Sequence, residues 1–215
     1  MRVIAIDGPA GSGKSTVARL VADRLGLQYL DTGAMYRGVA FAALNYGVDP
    51  ADADEVAELA RRLDIIVGPE GVFVGGVDAT IEIRGPEVTR AVSIVAANAD
   101  VRAELRDRQR AWVKERDGGV VEGRDIGTVV CPDAELKVFL TANAEVRADR
   151  RATEVTDLDY EMVAADLARR DALDEGRASA PLAVADDAVV IDTTGKSVDE
   201  VVAAVLEQLD GRSGR

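Results

Sequence analysis

The stretch IDGPAGSGKSTVARL, residues 6–20, constrains the fold of this chain more than any other segment. An apolar β-branched run precedes it, a helical pattern follows, and it matches G-x-x-x-x-G-K-[S/T] at Gly8, Gly13, Lys14 and Ser15. Glycines let successive backbone N–H groups turn towards a phosphate, and the helix start adds a positive dipole end. The stretch therefore predicts a nucleoside triphosphate loop, with Lys14 at the β- and γ-phosphates and the Ser15 hydroxyl on Mg²⁺.

The charge and the residue types narrow the class of protein. The chain has 39 acidic against 26 basic residues, a net charge of −13, which argues against nucleic acid or an anionic membrane as its main partner. It has one cysteine, Cys131, and no histidine. A disulfide framework, a Cys/His zinc site and a histidine-based triad are therefore excluded. Carboxylates, Arg, Lys and the backbone must perform any chemistry on small molecules.

The N-terminus and the hydropathy pattern predict where the protein works. The apolar run in MRVIAIDG ends at Asp7, which is too short for a secretory signal. No later run approaches the roughly 20 apolar residues of a membrane-spanning helix. We expect a cytoplasmic monomer that binds neither nucleic acid nor a membrane.

Short β-branched runs alternate with amphipathic helical stretches, which is typical of an α/β fold with a parallel sheet. Strands are predicted at 3–7, 28–31, 119–123, 137–141 and 188–192. Residues 65–83 break the alternation, because Val, Ile and Phe alternate there between Gly-Pro and Gly-Gly. This segment predicts an insert of two or three antiparallel strands.

The phosphate loop alone does not distinguish a GTPase, an ATPase and a small-molecule kinase. A GTPase would carry a T/N-K-x-D motif to read guanine, but no lysine of this chain is followed two residues later by Asp. The remaining motifs must therefore distinguish an ATPase from a small-molecule kinase.

Arg37 is the first candidate for binding a second anionic substrate. In LDTGAMYRG, residues 30–38, either Asp31 or Thr32 is the predicted N-cap, so Arg37 lies early in the next helix. The helix dipole disfavours a cation there. A bound phosphate would justify the arginine, and pairing with a nearby acid is the alternative.

Two further constellations follow later in the chain. Arg124 and Asp125 come directly after a buried strand, where ligands bind in open α/β sheets, although a surface ion pair would look the same. Arg170, Asp174 and Arg177 are spaced four and three residues apart, so they share one face if the helix continues. That face either converges on a sugar and phosphates or is a solvated charged surface.

Taken together, these motifs resemble the bacterial cytidylate (CMP/dCMP) kinase family. The likeness runs from the first strand to about residue 210, in order, through GPAGSGKST, LDTGAMYR, EGRDIGTVVCPDA, FLTANAEVRADRR and RRDALDEGRASAPL. The resemblance implies one P-loop NTP-binding domain over residues 1–215, with a parallel five-stranded core sheet flanked by helices. It also implies an antiparallel β-insert in the monophosphate-binding region at 61–94 and an Arg-rich lid at 149–167.

The resemblance also assigns residues to the two substrates. It places ATP on Gly8, Ala10, Gly11, Ser12, Gly13, Lys14, Ser15 and Thr16. It places CMP on Thr32, Arg37, Ser93, Arg102, Arg124, Asp125, Arg170 and Asp174, with Arg37 and Arg124 on the phosphate and Ser93, Arg102 and Asp125 at the cytosine.

The residues that the resemblance implies in phosphoryl transfer are Lys14, Arg124, Arg150, Arg151 and Arg177, with Arg147 in the same lid stretch. Thr32 stands where Ser is common in the family, and Glu122 where an Asp often precedes Gly-Arg-Asp; both keep the functional group.

The expected activity is Mg²⁺-dependent transfer of the ATP γ-phosphoryl group to CMP or dCMP. A substrate phosphate oxygen is already a nucleophile, so positioning and charge neutralisation suffice without a general base. Another small-molecule kinase, for UMP, AMP or shikimate, and a non-catalytic nucleotide sensor are the alternatives.

Overall fold

A computed structural model describes residues 1–154, 159–177 and 179–213. The chain divides into two compact units, the first formed by Met1–Tyr29 with Arg116–Arg215 and the second by Leu30–Glu115. In the described residues no helix combines the length and the apolar character needed to cross a membrane.

The first unit contains most of the parallel sheet and the helices that cover it. Its strands are β1 (Arg2–Asp7), β6 (Gly118–Gly123), β7 (Leu136–Thr141) and β8 (Val189–Asp192). Its helices are α1 (Lys14–Leu25), α6 (Ala144–Glu154), α7 (Tyr160–Glu175) and α8 (Val198–Ser213), with one π-helical turn at Ile126–Val130.

The central sheet has five strands in the order β2-β6-β1-β7-β8, where β2 is Tyr29–Asp31. β1 runs parallel to both β6 and β7, and β7 runs parallel to β8. The predicted parallel five-stranded sheet is confirmed, with strand ends within one residue of those expected. Apolar side chains of the sheet pack against α1 and α8, which buries residues such as Ile4, Leu140, Val21 and Val205 completely.

Strand register brings two chemically important segments to one edge of the sheet. Asp7, the last residue of β1, pairs with Gly123, the last residue of β6. The phosphate loop at 8–13 and the Gly-Arg-Asp segment at 123–125 therefore leave neighbouring strands at the same level. This carboxyl edge is where open α/β sheets bind ligands.

The second unit holds the predicted β-insert. Its helices are α2 (Thr32–Tyr46), α3 (Ala53–Arg62), α4 (Pro86–Ala97) and α5 (Ala99–Glu115). β3 (Ile65–Gly68), β4 (Gly71–Val74) and β5 (Val77–Asp78) form the expected three-stranded antiparallel sheet. A short 3₁₀ turn at Glu82–Arg84 replaces the strand character expected up to residue 83, because the Thr80 hydroxyl and the Ala79 amide bond back to β4 and end the pairing.

The predicted lid at 149–167 covers the end of α6 and the first half of α7, and its residues 155–158 lie outside the described residues. α7 ends at Glu175, so the helix does not continue through Arg177 as the shared-face hypothesis required. Gly176 closes the helix with its N–H on the Ala172 carbonyl. Arg177 therefore lies in the segment after α7 and reaches Asp174 from there.

Candidate functional site

The phosphate loop adopts a backbone that its glycines make possible. Gly8 has φ +152°, and a Cβ there would lie 2.1 Å from the Leu140 carbonyl oxygen. Gly13 has φ +86° and directly precedes α1. Both conformations are strained for residues with a side chain, so the sequence pattern corresponds to steric need.

The start of α1 presents donors suited to an anion. Gly13 is the N-cap and has no side chain to cap the first N–H groups of the helix. The Lys14 ammonium donates to the Pro9 carbonyl oxygen at 3.1 Å, which holds the cation across the loop. The Ser12 hydroxyl is fully buried and has no hydrogen-bonding partner among the described residues. The loop and the helix start thus offer several hydrogen-bond donors to an anion.

Ser15, Glu122 and Tyr29 form a partly buried polar contact beside the loop. The Ser15 hydroxyl donates to Glu122 Oε2 at 2.9 Å, and the Tyr29 hydroxyl donates to the other oxygen, Oε1. Glu122 is 2% exposed at the carboxyl end of β6. A hydroxyl and a carboxylate are the ligand types that Mg²⁺ prefers. No group of three or more His, Cys, Asp or Glu residues that could hold a metal occurs in the described part of the chain.

Asp174 joins two of the predicted arginines. Arg124 Nε donates to Asp174 Oδ2 at 2.7 Å, and Arg177 Nη2 donates to Oδ1. Burial opposes ionisation of Asp174, but Arg124 and Arg177 outweigh it and hold the pKa of the carboxyl below its ordinary value. Burial likewise disfavours the Arg124 cation, but Asp174 outweighs it and raises the pKa of that guanidinium. The contact is an ion-pair cluster that stays charged.

Arg170 lies beside this cluster with its charge poorly compensated. It is 9% exposed, and no hydrogen bond or ion pair of its guanidinium occurs in the part of the chain that the structure describes. Burial, followed by the repulsion of Arg124, lowers the pKa of Arg170. A buried guanidinium without a hydrogen-bonding partner is costly, so the position is suited to an anion supplied from outside.

Two of the three arginines at 147–151 contact the phosphate loop and its neighbours. Arg147 donates to the Ala10 carbonyl oxygen at 3.1 Å and to Asp171 Oδ2 at 2.5 Å. Arg150 donates to both oxygens of Thr193 at 2.9 and 3.0 Å, and to the Gly11 carbonyl at 3.4 Å. Arg151 lies near Arg170, whose cation it destabilises. α6 is therefore tied to the loop by two cations.

In the second unit, Arg37 lies on α2 and forms two hydrogen bonds through one guanidinium nitrogen. Asp31 is the N-cap of α2, since its carboxylate accepts from the Ala34 amide at 3.0 Å, and Thr32 is a buried first helical residue. Arg37 Nη1 donates to the Ile83 carbonyl at 3.1 Å and to the Thr89 hydroxyl at 3.0 Å. These bonds fix the direction of the guanidinium.

The predicted base-reading residues of this unit are buried. Ser93 on α4 is 9% exposed and Arg102 on α5 is 6% exposed. Arg102 donates to the Ala96 carbonyl at 3.3 Å, and its guanidinium lies 5.5 Å from the centre of the Tyr36 ring. Tyr36 thus orients Arg102 through a cation–π contact.

The structure separates the predicted site residues by unit. The first unit holds the ATP set Gly8, Ala10, Gly11, Ser12, Gly13, Lys14, Ser15 and Thr16, together with Arg124, Asp125, Arg150, Arg151, Arg170, Asp174 and Arg177; the second holds Thr32, Arg37, Ser93 and Arg102. Sequence reasoning missed the contacts of Tyr29 and Tyr36, and gave Glu122 no role of its own. A buried acid at the end of a strand next to the loop was the available signal for Glu122; the two tyrosines offered none.

Comparison with known proteins identifies the family. A family model described as cytidylate kinase matches residues 4–211. A cytidylate kinase of Mycobacterium leprae is 49% identical, with 99% of this chain and 97% of the relative covered. Those of Desulforamulus reducens and Bacillus subtilis are 50% and 47% identical, covering 95% and 98% of this chain and 95% and 97% of the relatives.

Solved structures with more distant sequences show the fold. An uncharacterized protein from Eubacterium ventriosum is similar with a TM-score of 0.55 at 12% identity, over 98% of this chain and 99% of that one. A gluconokinase from Sinorhizobium meliloti has a TM-score of 0.53 at 14% identity, over 97% of this chain and 91% of its own. At such identities the likeness concerns the architecture alone.

Proposed function

The chain belongs to the cytidylate kinase family, and we propose on that basis that it transfers the γ-phosphoryl group of ATP to CMP or dCMP, forming CDP or dCDP. The observation that carries this proposal is the match to the family over almost the whole length, at about half identity to several cytidylate kinases. The phosphate loop and the arginine cluster of the first unit, which we define as Arg124, Arg170 and Arg177, supply the positive charge that such a reaction needs.

The donor phosphates are assigned to the loop at residues 8–16. Backbone N–H groups at the start of α1 would bind the phosphate oxygens, because no side chain caps them. Lys14 would exchange the Pro9 carbonyl for the β- and γ-phosphates, since its ammonium already spans the loop. The loop supplies positive charge where the transition state is most negative.

A Mg²⁺ ion fits the contact between Ser15 and Glu122. The Ser15 hydroxyl oxygen would be a direct ligand, and Glu122 would accept from the ligand or from a bound water molecule. When bound, the ion neutralises charge on the transferring phosphoryl group. Few protein ligands are needed, because Mg²⁺ keeps phosphate oxygens and water in its shell.

The arginine cluster of the first unit would bind the acceptor's phosphate and the transferring group. Arg170 is suited to bind an anion, because its guanidinium is buried and forms no hydrogen bond or ion pair with the described residues. Arg124 and Arg177 stay oriented by Asp174, whose oxygens retain lone pairs for ribose hydroxyls. Arg37 is assigned to the acceptor's phosphate by the family resemblance, and its two fixed hydrogen bonds support a defined direction.

Cytosine recognition is assigned to Asp125, Ser93 and Arg102. Cytosine offers an N4 amino donor with N3 and O2 acceptors, so the Asp125 carboxylate and the Ser93 hydroxyl can accept from the amino group while Arg102 donates to N3 or O2. All three side chains are buried, so a base lacking the amino group would leave a polar partner unsatisfied. Uracil carries a carbonyl at that position.

The reaction requires no protein base, since the substrate phosphate oxygen is the nucleophile. Arg150 and Arg151 remain candidates for the transferring group. For Arg150 this means giving up Thr193 or sharing it, because its donors are already used there.

A coupled assay of ATP with CMP, dCMP, UMP, AMP and shikimate tests the function directly. We expect turnover with CMP and dCMP, and little with the others. Efficient turnover of AMP or shikimate in place of CMP would assign another small-molecule kinase. ATP binding without turnover of any acceptor would instead identify a nucleotide sensor. Lys14→Ala is the control for contaminating kinases.

A further inference from the structure

Asp7 links the end of one strand to the segment that follows its neighbour. It is the last residue of β1, directly before Gly8, and is 5% exposed. Its Oδ1 accepts from the Ile126 amide at 2.8 Å, and its Oδ2 accepts from the Gly127 amide at 2.8 Å. Ile126 and Gly127 begin the π-helical turn, and the first N–H groups of a helical segment have no partner within it. Asp7 therefore caps this turn from another strand.

The residue that would ordinarily cap this turn does not do so. Asp125 stands at the N-cap position, where an aspartate usually accepts from the following amides. Its side chain forms no capping hydrogen bond with the turn. Because Asp7 accepts from those amides instead, the turn is attached to β1, directly after Arg124 and Asp125.

The packing around Gly127 leaves little freedom at this attachment. A Cβ on Gly127 would lie 3.2 Å from Lys137 Cδ and 3.4 Å from Asp7 Oδ2. Lys137 contributes only its aliphatic stem here, since its ammonium pairs with Asp187 at 2.8 Å. The turn is thus held between a carboxylate on one side and a methylene chain on the other.

The electrostatics of Asp7 indicate that stability alone does not explain the residue. Burial raises the pKa of the carboxyl to about 6, although the Gly127 and Ile126 amides oppose the shift; Asp125 adds to it and Arg124 reduces it. At neutral pH the fold therefore maintains a buried carboxylate whose ionisation is disfavoured. Groups kept in such a state occur preferentially at functional sites.

We propose that Asp7 is a positioning residue for the acceptor side of the reaction, because it holds the turn that directly follows Arg124 and Asp125 and so fixes the place of these two residues. The proposal rests on the proposed function, since Arg124 and Asp125 are assigned there to CMP. Asp7 adjoins the ATP loop in sequence, but its loss should weaken CMP binding and leave ATP binding intact.

Asp7→Asn tests the attachment with almost no change of shape. The amide oxygen keeps one hydrogen bond, but the NH₂ group then faces the second backbone N–H. If the turn occupies its native position in only about a tenth of the molecules, CMP binds about tenfold more weakly. Calorimetric titration with CMP and, separately, with ATP measures this. We expect the ATP dissociation constant to stay within about twofold.

Amide hydrogen exchange without nucleotide gives a second readout that does not depend on activity. The Ile126 and Gly127 amides should exchange at close to their unprotected rates in Asp7→Asn, because the turn would then be open in most molecules, while amides of β7 keep wild-type rates. Asp52→Ala is the matched control, because Asp52 also accepts a backbone N–H at a helix start and lies in no assigned site. It should leave both nucleotide affinities unchanged.

Gly127→Ala provides an independent perturbation if Asp7→Asn does not fold. The added methyl group presses on Lys137 and Asp7 without removing the carboxylate, so CMP should bind a few-fold more weakly. Unchanged CMP affinity in a folded variant with faster exchange would overturn the positioning role. Equal loss of ATP affinity would mean that Asp7 serves the phosphate loop instead. Absence of CMP binding in the wild type would refute the proposed function, and the exchange rates would still decide whether Asp7 holds the turn.

Discussion

Removing the Asp174 carboxylate should destabilise the protein far more than removing a similar acid on the same helix. Asp174 is bonded to Arg124 and Arg177, and the side chains of the three residues are only 13%, 19% and 6% exposed. Solvent therefore screens the contact weakly. Asp174→Ala leaves these guanidinium groups without their carboxylate. Breaking a buried ion pair by removing one partner costs about 3–5 kcal/mol.

Asp166→Ala is the matched control. Asp166 also lies on α7 and pairs with Arg169, but their side chains are 31% and 49% exposed. An exposed pair of this kind contributes about 0–1 kcal/mol. Urea unfolding in phosphate-free buffer at constant ionic strength gives the free energy of unfolding for both variants. Adding inorganic phosphate should stabilise Asp174→Ala more than the wild type, since an anion can replace the missing charge.

The result that refutes this reasoning is a loss below about 1 kcal/mol for Asp174→Ala, equal to that of the control. Kinetics then separate the two roles of the residue. If Asp174 also accepts from the ribose of CMP, the KM for CMP rises more than the KM for ATP. Equal changes in both constants would make the cluster purely structural.

Three further predictions concern the donor, the base and pH. Lys14→Ala should leave the fold intact and reduce phosphoryl transfer by about 100-fold or more in the coupled assay; near-normal turnover would contradict the loop assignment. Wild type should prefer CMP to UMP by up to roughly 10⁴ in kcat/KM, and Asp125→Asn should narrow this gap by losing CMP activity. If neither Asp125→Asn nor Ser93→Ala changed the preference, both residues would have no part in reading the base. Burial raises the pKa of Asp7 to about 6, against 3.8 in the unfolded chain, so the native state binds more protons between these two pH values. The contribution of Asp7 to the free energy of unfolding therefore falls by about 3 kcal/mol as pH rises from 3.8 to about 6. Urea unfolding should accordingly show the wild type losing stability relative to Asp7→Asn between pH 4 and pH 6, and a constant difference would exclude the raised pKa.

The elements that sequence alone predicted are those encoded by neighbouring residues. The alternation of strands and helices, an antiparallel insert within 65–83 and the phosphate loop were predicted from periodicity and from glycine, whose conformational freedom is a local property. The strands of the insert end earlier than predicted, at Asp78. Phosphate binding by this loop could also be predicted, because the strand, the glycine-rich turn and the helix start are contiguous in the chain. The substrate assignment came from the resemblance of these motifs to the cytidylate kinase family, and family membership supports it.

Contacts between distant segments could be settled only by the tertiary structure. The pattern of charges could not show that Arg124, 50 residues earlier in the chain, donates to Asp174, because no local spacing relates residues so far apart. Likewise, nothing near Asp7 in the sequence indicates the Ile126 and Gly127 amides as its partners. Strand register, which depends on the packing of the whole sheet, sets Asp7 beside Gly123 and thereby decides which buried carboxylate holds which turn.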